Sequence, residues 1–92
     1  MKGIKNDIEK DDWYLLPIEP IRCVIRVLMY GAKKYAPDNW KHVEPKERYY
    51  SAALRHITAW REGERLDKES GLSHLAHAIC CLLFLLWKER KP

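Results

Sequence analysis

Three histidines lie within residues 56–77 of this 92-residue chain, together with several carboxylates. His56 falls on the apolar stripe of one predicted helix, while His74 and His77, spaced i, i+3, share a face of the next. The connection between these helices, residues 63–71, begins and ends with glycine. It carries three carboxylates, which are Glu64, Asp67 and Glu69. Such donors could bind one or two divalent cations, or a ribose and its phosphates. In the alternative interpretation the histidines are core residues and the connection is a solvated turn.

A second group of chemically useful residues lies in residues 30–41, which mix cations, aromatic rings and a side-chain amide. Lysines bind phosphates as point charges, aromatic rings stack on bases, and an amide reads a base edge by paired hydrogen bonds. The candidate ligand contacts in this segment are Lys33, Lys34, Tyr35, Asn39 and Trp40. Arg55 is a further candidate phosphate contact. In the alternative interpretation the lysines are solvated, Arg55 forms a surface ion pair and the rings pack into the core.

Composition restricts the class of protein. The chain has 17 lysine and arginine residues and 13 aspartate and glutamate residues, which gives a formal charge of +4. This charge suits an anionic ligand, but the chain has no dense basic stripe of the kind that nucleic-acid binders show. The longest uncharged apolar stretch, 78–87, is half the length of a membrane-spanning helix of about 20 residues. The polar N-terminus has no secretory core, and Cys23, Cys80 and Cys81 match no disulfide or zinc pattern. We therefore expect a cytoplasmic protein with three reduced core thiols.

Hydrophobic periodicity predicts three helices, at about residues 18–35, 45–62 and 71–90. Pro45 and Ser70 are suitable residues for the start of the second and third helices, and Gly63 for the end of the second. The fold class expected is all-α, with a single domain over residues 1–92 that includes a polar N-terminal arm, 1–11.

The third predicted helix is apolar on nearly every side. A helix of this kind has to be covered on nearly every side, and two short partner helices cannot do so. We therefore expect the small bundle to be completed by self-association. A two-fold dimer, a tetramer or a higher homo-oligomer would place the third helix near a symmetry axis.

The order of these residues carries a resemblance to a known family. The matching pieces are 12–17 (DWYLLP), 30–35 (YGAKKY) with Asn39 and Trp40, 48–50 (RYY), 53–56 (ALRH), 63–64 with Asp67, 69–72 (ESGL) and 74–78 (HLAHA). Together they cover roughly residues 11–87, nearly the whole chain. On this pattern the chain resembles the phage dATP/dGTP diphosphohydrolase N-terminal-like family, related to the MazG-like all-α nucleotide pyrophosphohydrolases.

The resemblance implies an oligomeric helical protein that cleaves a purine deoxynucleoside triphosphate to its monophosphate and pyrophosphate, in control of a phage nucleotide pool. Mg²⁺ or Mn²⁺ would neutralise the phosphates and orient a water. It implies phosphate contacts from Lys34 and Arg55 and base contacts from Asn39 and Trp40. The catalytic and metal-holding groups it implies are Glu64, Asp67 and Glu69, with His77 as a further metal ligand and His56 and His74 as supports.

One departure keeps a second function open. MazG-like proteins carry carboxylates spaced i, i+3 on two facing helices, where this chain has His56 and the pair His74 and His77. Magnesium prefers oxygen ligands to imidazole, so the chain could instead be a non-catalytic phage protein that sequesters a host immune signalling nucleotide. A structural or interaction module is the third interpretation. Either nucleotide function would operate in the cytoplasm of an infected bacterium, with no membrane or nucleic-acid partner.

Overall fold

The computed structural model describes residues 2–90. Their regular structure consists of three α-helices, α1 (Ile18–Lys34), α2 (Glu47–Arg61) and α3 (His74–Glu89), with 3₁₀ turns at Trp13–Leu15 and Asn39–His42. No β-strand occurs in these residues, so the predicted all-α fold with three main helices is confirmed. Residues 2–12 are exposed and lie outside the helices; residues 1, 91 and 92 of the predicted domain fall outside the described part.

The central helix is α3, which packs against both α1 and α2. The buried side chains at its contact with α1 are small or branched: Val24, Val27, Ala76 and Cys80. Leu28, Leu72 and Phe84 are half-buried and pack against this cluster. Four of the six buried residues of α3 have short side chains, namely Ala76, Ala78, Cys80 and Cys81.

The segment between α1 and α2 is fixed to the C-terminal half of α3. The ammonium group of Lys88 donates hydrogen bonds to the backbone carbonyl oxygens of Lys41, at 3.2 Å, and Val43, at 2.9 Å. Trp40 stacks on Phe84 with the ring centroids 4.5 Å apart. These contacts hold the second 3₁₀ turn against α3, where it forms one wall of a cleft.

The third helix begins three residues later than predicted. We expected a start at Gly71 with Ser70 as the N-cap, but the helix begins at His74. The N-cap is Ser73, whose hydroxyl oxygen accepts a hydrogen bond from the Ala76 N–H at 3.2 Å. Ser70 is thereby available to bond within the connection instead.

The delayed start of α3 has a backbone cause. Leu66 and Ser73 form an isolated antiparallel bridge, and the Asp67 N–H donates to the carbonyl oxygen of Leu72 at 2.7 Å. This pairing folds the connection back on itself before the helix starts. Residues between the bridge positions are therefore held in a compact turn beside α3, which the sequence pattern did not predict.

The second helix, Glu47–Arg61, starts two residues later and ends one residue earlier than predicted. Pro45 lies in the preceding turn, where its carbonyl oxygen accepts an N–H only three residues ahead. The predicted role of Gly63 is confirmed, since it follows the C-cap and takes a φ of 103° that favours glycine. The Glu64 N–H then donates to the Ala59 carbonyl oxygen at 3.0 Å, which completes a Schellman motif and starts the connection.

Several large apolar side chains remain exposed on α3. Leu75, Ile79, Leu82, Leu83 and Leu86 are between 40% and 56% exposed. These are residues of the face predicted to contact another chain, and the oligomer stays a prediction. Despite this apolar face, α3 does not qualify as a membrane span, nor does any other helix in residues 2–90.

All three cysteines are free. Cys80 and Cys81 are buried in α3, as predicted. Cys23 is exposed, so the prediction of a third core thiol is wrong. The cause is helical geometry, because Cys23 lies about 100° around α1 from its buried neighbour Val24.

Candidate active site

An open cleft of about 1150 Å³ is formed by the three helices, the segment between α1 and α2, and the connection before α3. Most of the predicted site residues line it, namely Lys34, Tyr35, Asn39, Trp40, Arg55, His56, Asp67, Glu69 and His77. Glu64 and His74 do not line the cleft, but His74 is bonded to the lining residue His56, and Glu64 is bonded to His74. Lys33 is exposed and lies outside the lining. The cleft exceeds the usual range for small-molecule pockets, roughly 300–1,000 Å³.

Two histidines meet at the edge of this cleft. His56 of α2 and His74, the first residue of α3, approach with their Nδ1 atoms 2.8 Å apart. The Nε2 atom of His74 lies 2.6 Å from Oε1 of Glu64, and His74 is only 4% exposed. Because an ionised carboxylate only accepts hydrogen bonds, His74 donates its Nε2–H to Glu64, and this bond holds the pKa of the Glu64 carboxyl below its usual value. A neutral His74 therefore has its lone pair at Nδ1, directed at His56.

Ser70 organises the second polar group. The Oδ2 atom of Asp67 accepts the backbone N–H and the hydroxyl hydrogen of Ser70, both at 2.9 Å. Burial opposes ionisation of Asp67, but these two bonds stabilise the carboxylate, so that the pKa of Asp67 is lowered. Ser70 has one hydroxyl hydrogen, which Asp67 accepts. His77 therefore donates its Nε2–H to the Ser70 oxygen, at 2.7 Å.

His77 and His56 also stack on each other. Their ring centroids are 4.5 Å apart and their planes differ by 9°. Burial is the largest cause that lowers the pKa of both imidazoles, and for His56 positive charge on the neighbouring His77 and His74 would lower it further. Both rings therefore favour the neutral form, in which imidazole has a lone pair for a proton or a metal ion.

Glu69 is paired away from the other two carboxylates. Its oxygens accept from Nζ of Lys34 at 3.1 and 3.2 Å, and the Tyr30 side chain hydrogen-bonds to it as well. These contacts lower the pKa of Glu69, and the hydrogen bond from Lys34 is the largest cause. The same bond raises the pKa of Lys34. Both members of the ion pair are well exposed, so the pair contributes little stability and is easily exchanged for another anion.

The candidate base contacts Asn39 and Trp40 lie toward the other end of the cleft, on the second 3₁₀ turn. One face of Trp40 is covered by Phe84, and its edge meets Trp87 at 5.1 Å between ring centroids. Trp40 is therefore partly a core residue, as the alternative interpretation had it, although it still lines the cleft. Tyr35 is 64% exposed, and the Nζ atom of Lys34 lies 5.2 Å from its ring centroid, so this ring belongs to the polar end of the cleft.

Three donor atoms are grouped closely enough to hold a metal ion. They belong to His56, Asp67 and His74, and all lie within 4.8 Å of one another. The set predicted from the sequence was Glu64, Asp67, Glu69 and His77. The two sets share only Asp67. Glu64 and Glu69 are absent from the observed group because the tight turn directs Glu64 to His74 and Glu69 to Lys34.

Two residues of the site were not predicted as site residues from the sequence. Tyr30 contacts Glu69 and meets His77 edge-on, with 6.4 Å between ring centroids. Its position four residues before Lys34 on α1, which places both on one face, was the available signal. Ser70 follows Asp67 by three residues, a spacing typical of a side chain that closes its own turn.

Comparisons with known proteins identify the family of the chain. A dATP/dGTP diphosphohydrolase of Salmonella phage PMBT28 is 37% identical over 87 residues. The match covers 95% of this chain and 30% of that relative, so the chain spans less than a third of its length. No solved structure matches the chain. Residues 1–92 match the family described as dATP/dGTP diphosphohydrolase, N-terminal, and the chain belongs to this family, as its residue pattern predicted.

Proposed function

We propose that the chain binds a purine deoxynucleoside triphosphate in the cleft and hydrolyses it to the monophosphate and pyrophosphate. A water oxygen forms a bond to the α-phosphorus and loses a proton. The bond from the α-phosphorus to the α,β-bridging oxygen breaks, and pyrophosphate leaves with the electron pair. The family and the name of the phage relative support this reaction class, and the cleft's division into a polar and an aromatic end supports this substrate.

The division of the cleft is the observation that carries the proposal. His77 marks the polar end and Phe84 the aromatic end, and the two are seven positions apart on α3. At a rise of about 1.5 Å per residue, the two ends are about 10 Å apart. A purine beside Trp40 and Asn39 would then place its α-phosphate near Lys34 and the polar groups of the connection.

Phosphate charge would be balanced by the cations of the cleft. Lys34 is held by Glu69 in an exposed ion pair, so a phosphate oxygen would replace that carboxylate. Arg55 also lines the cleft and is exposed. Mg²⁺ or Mn²⁺ is part of the proposal, because a divalent cation neutralises the phosphates and orients the attacking water. Asp67 is the carboxylate best placed to contact it, since the other two are engaged by His74 and Lys34.

Adjacent lysines provide a matched test. Lys34→Ala should raise KM for dATP or dGTP, or reduce turnover, because it removes a phosphate contact from the cleft. Lys33→Ala removes the same charge from a neighbouring position outside the cleft and should leave both constants within about twofold. Equal effects of the two variants would show that net charge, and not a contact in the cleft, determines binding.

The setting of the reaction is also part of the proposal. The relative comes from a phage, and we infer a role in controlling the deoxynucleotide pool of an infected bacterium. We further infer that the exposed apolar face of α3 contacts a second copy of the chain, since five large side chains there remain uncovered. None of the comparisons favours the alternative of a nucleotide-sequestering protein.

A further inference from the structure

We propose that His56, His74 and Asp67 bind one divalent transition-metal ion that accepts imidazole nitrogen, such as Zn²⁺ or Co²⁺, in preference to Mg²⁺. The three side chains come from α2, the start of α3 and the turn between them. Their donor atoms lie within 4.8 Å of one another, so one ion between them reaches all three after small shifts. Binding by these residues needs no nucleotide, and it therefore does not depend on the proposed hydrolysis.

The spacing of the two ring nitrogens fits an ion between them. For metal–nitrogen bonds of about 2.1 Å, adjacent ligand nitrogens stand about 3.0 Å apart at a right angle and about 3.4 Å apart in a tetrahedron. The observed separation of His56 Nδ1 and His74 Nδ1 is 2.8 Å. A movement of a few tenths of an ångström in either ring would therefore accommodate the ion.

The surrounding bonds orient the ligands. Glu64 accepts the Nε2–H of His74 at 2.6 Å, which leaves the lone pair of a neutral His74 at Nδ1, where the ion would bind. A carboxylate behind a metal-bound histidine is the usual outer-shell partner in such sites. Asp67 is fixed in the same way, because Ser70 donates two hydrogen bonds to Oδ2. Within residues 2–90 every hydrogen bond and ion pair of the Asp67 side chain ends on Oδ2, so Oδ1 is available as a ligand.

The ligand set selects the class of ion. Magnesium binds oxygen almost exclusively and gives up its waters reluctantly. Imidazole suits zinc and cobalt, and the affinity of nitrogen-containing sites rises along the first transition series to copper. Two imidazoles and one carboxylate therefore favour a transition-metal ion over Mg²⁺, and the remaining coordination positions would be open to water or a phosphate oxygen.

Cobalt is the most informative probe, since bound Co²⁺ has visible absorption bands that report its ligands. We would titrate the full chain with Co²⁺ without nucleotide, and then add Zn²⁺ or excess Mg²⁺. The expected result is saturation at one ion per chain, displacement by Zn²⁺ and no displacement by Mg²⁺. No saturable spectrum, or displacement by Mg²⁺ at a concentration equal to that of Co²⁺, would overturn the proposal.

Variants locate the ion. Loss of an outer-shell partner costs about 10- to 100-fold in affinity, so Glu64→Gln should weaken Co²⁺ binding in this range, whereas His56→Asn and Asp67→Asn should weaken it more than about 100-fold. His42→Asn is the matched control, because His42 is exposed on the second 3₁₀ turn and contributes no donor atom to the group. Helical circular dichroism would confirm that each variant is folded. Unchanged affinity in both folded ligand variants would place the ion elsewhere and refute the assignment, whatever the chain does with nucleotides.

Discussion

Replacing Ser70 by alanine should destabilise the chain by about 2 kcal/mol. Its hydroxyl group joins three others: it donates to Asp67 at 2.9 Å and accepts from His77 at 2.7 Å and from the Leu72 N–H at 3.1 Å. A neutral hydrogen bond contributes about 1 kcal/mol net and one to a charged group about 1.5–3 kcal/mol. The turn is only part-buried, so water would replace some of the lost partners and reduce the sum to about 2 kcal/mol.

Urea unfolding followed by circular dichroism at 222 nm would measure this difference. For a domain of this size, a loss of about 2 kcal/mol corresponds to a fall in Tm of about 8–16 °C. Ser51→Ala is the matched control, because Ser51 lies exposed in α2 and its side chain makes no hydrogen bond in the described part of the chain. Its variant should be unchanged or slightly more stable, since alanine favours helix. If Ser70→Ala and Ser51→Ala unfold within 0.5 kcal/mol of each other, roughly the size of ordinary surface effects, Ser70 does not organise the turn.

Three further predictions follow from the fold. Burial raises the pKa of Cys80 to about 12 and that of Cys81 to about 11, so both thiols stay protonated at pH 8. Mass spectrometry should therefore find iodoacetamide on Cys23 alone. Rapid labelling of either buried thiol would contradict this packing. Lys88→Met removes an ammonium group bonded to two backbone carbonyls and should lower the free energy of unfolding, measured in urea, by about 2 kcal/mol. An unchanged midpoint would show that the segment between α1 and α2 does not depend on these two hydrogen bonds. Leu82→Glu should shift sedimentation from an oligomer to an 11.0 kDa monomer, and a wild type that is already monomeric at micromolar concentration would refute the proposed α3 contact.

The helices and most of the cleft lining were predictable from the sequence. Periodic apolar residues predicted the three helices to within three residues at each end, because an apolar stripe such as the one that includes Val24 and Val27 on α1 is buried against a neighbouring helix. The same helices then brought Lys34, His56 and His77 to one cleft. The predicted burial of Cys23 was wrong because consecutive residues of a helix point in different directions, so an exposed position can directly precede a buried one.

The pairing of the polar residues was not predictable. Glu64, Asp67 and Glu69 are close in sequence and look equivalent, yet each has a different partner in the structure. Their directions are set by the bridge between Leu66 and Ser73, which depends on backbone hydrogen bonds and leaves no periodic signal in the side chains. For this reason the predicted metal set and the donor group of the structure share Asp67 alone.

We propose above that this chain cleaves a purine deoxynucleoside triphosphate between its α and β phosphates. The most direct test incubates a catalytic amount of the chain with each deoxy- and ribonucleoside triphosphate, with Mg²⁺ or Mn²⁺ added, and separates the products by ion-exchange chromatography. We predict monophosphate and pyrophosphate in equal amounts from dATP, dGTP or both, and a strongly reduced yield from Asp67→Asn. Intact nucleotides across the whole panel, or release of single phosphates from the γ position, would contradict the claim.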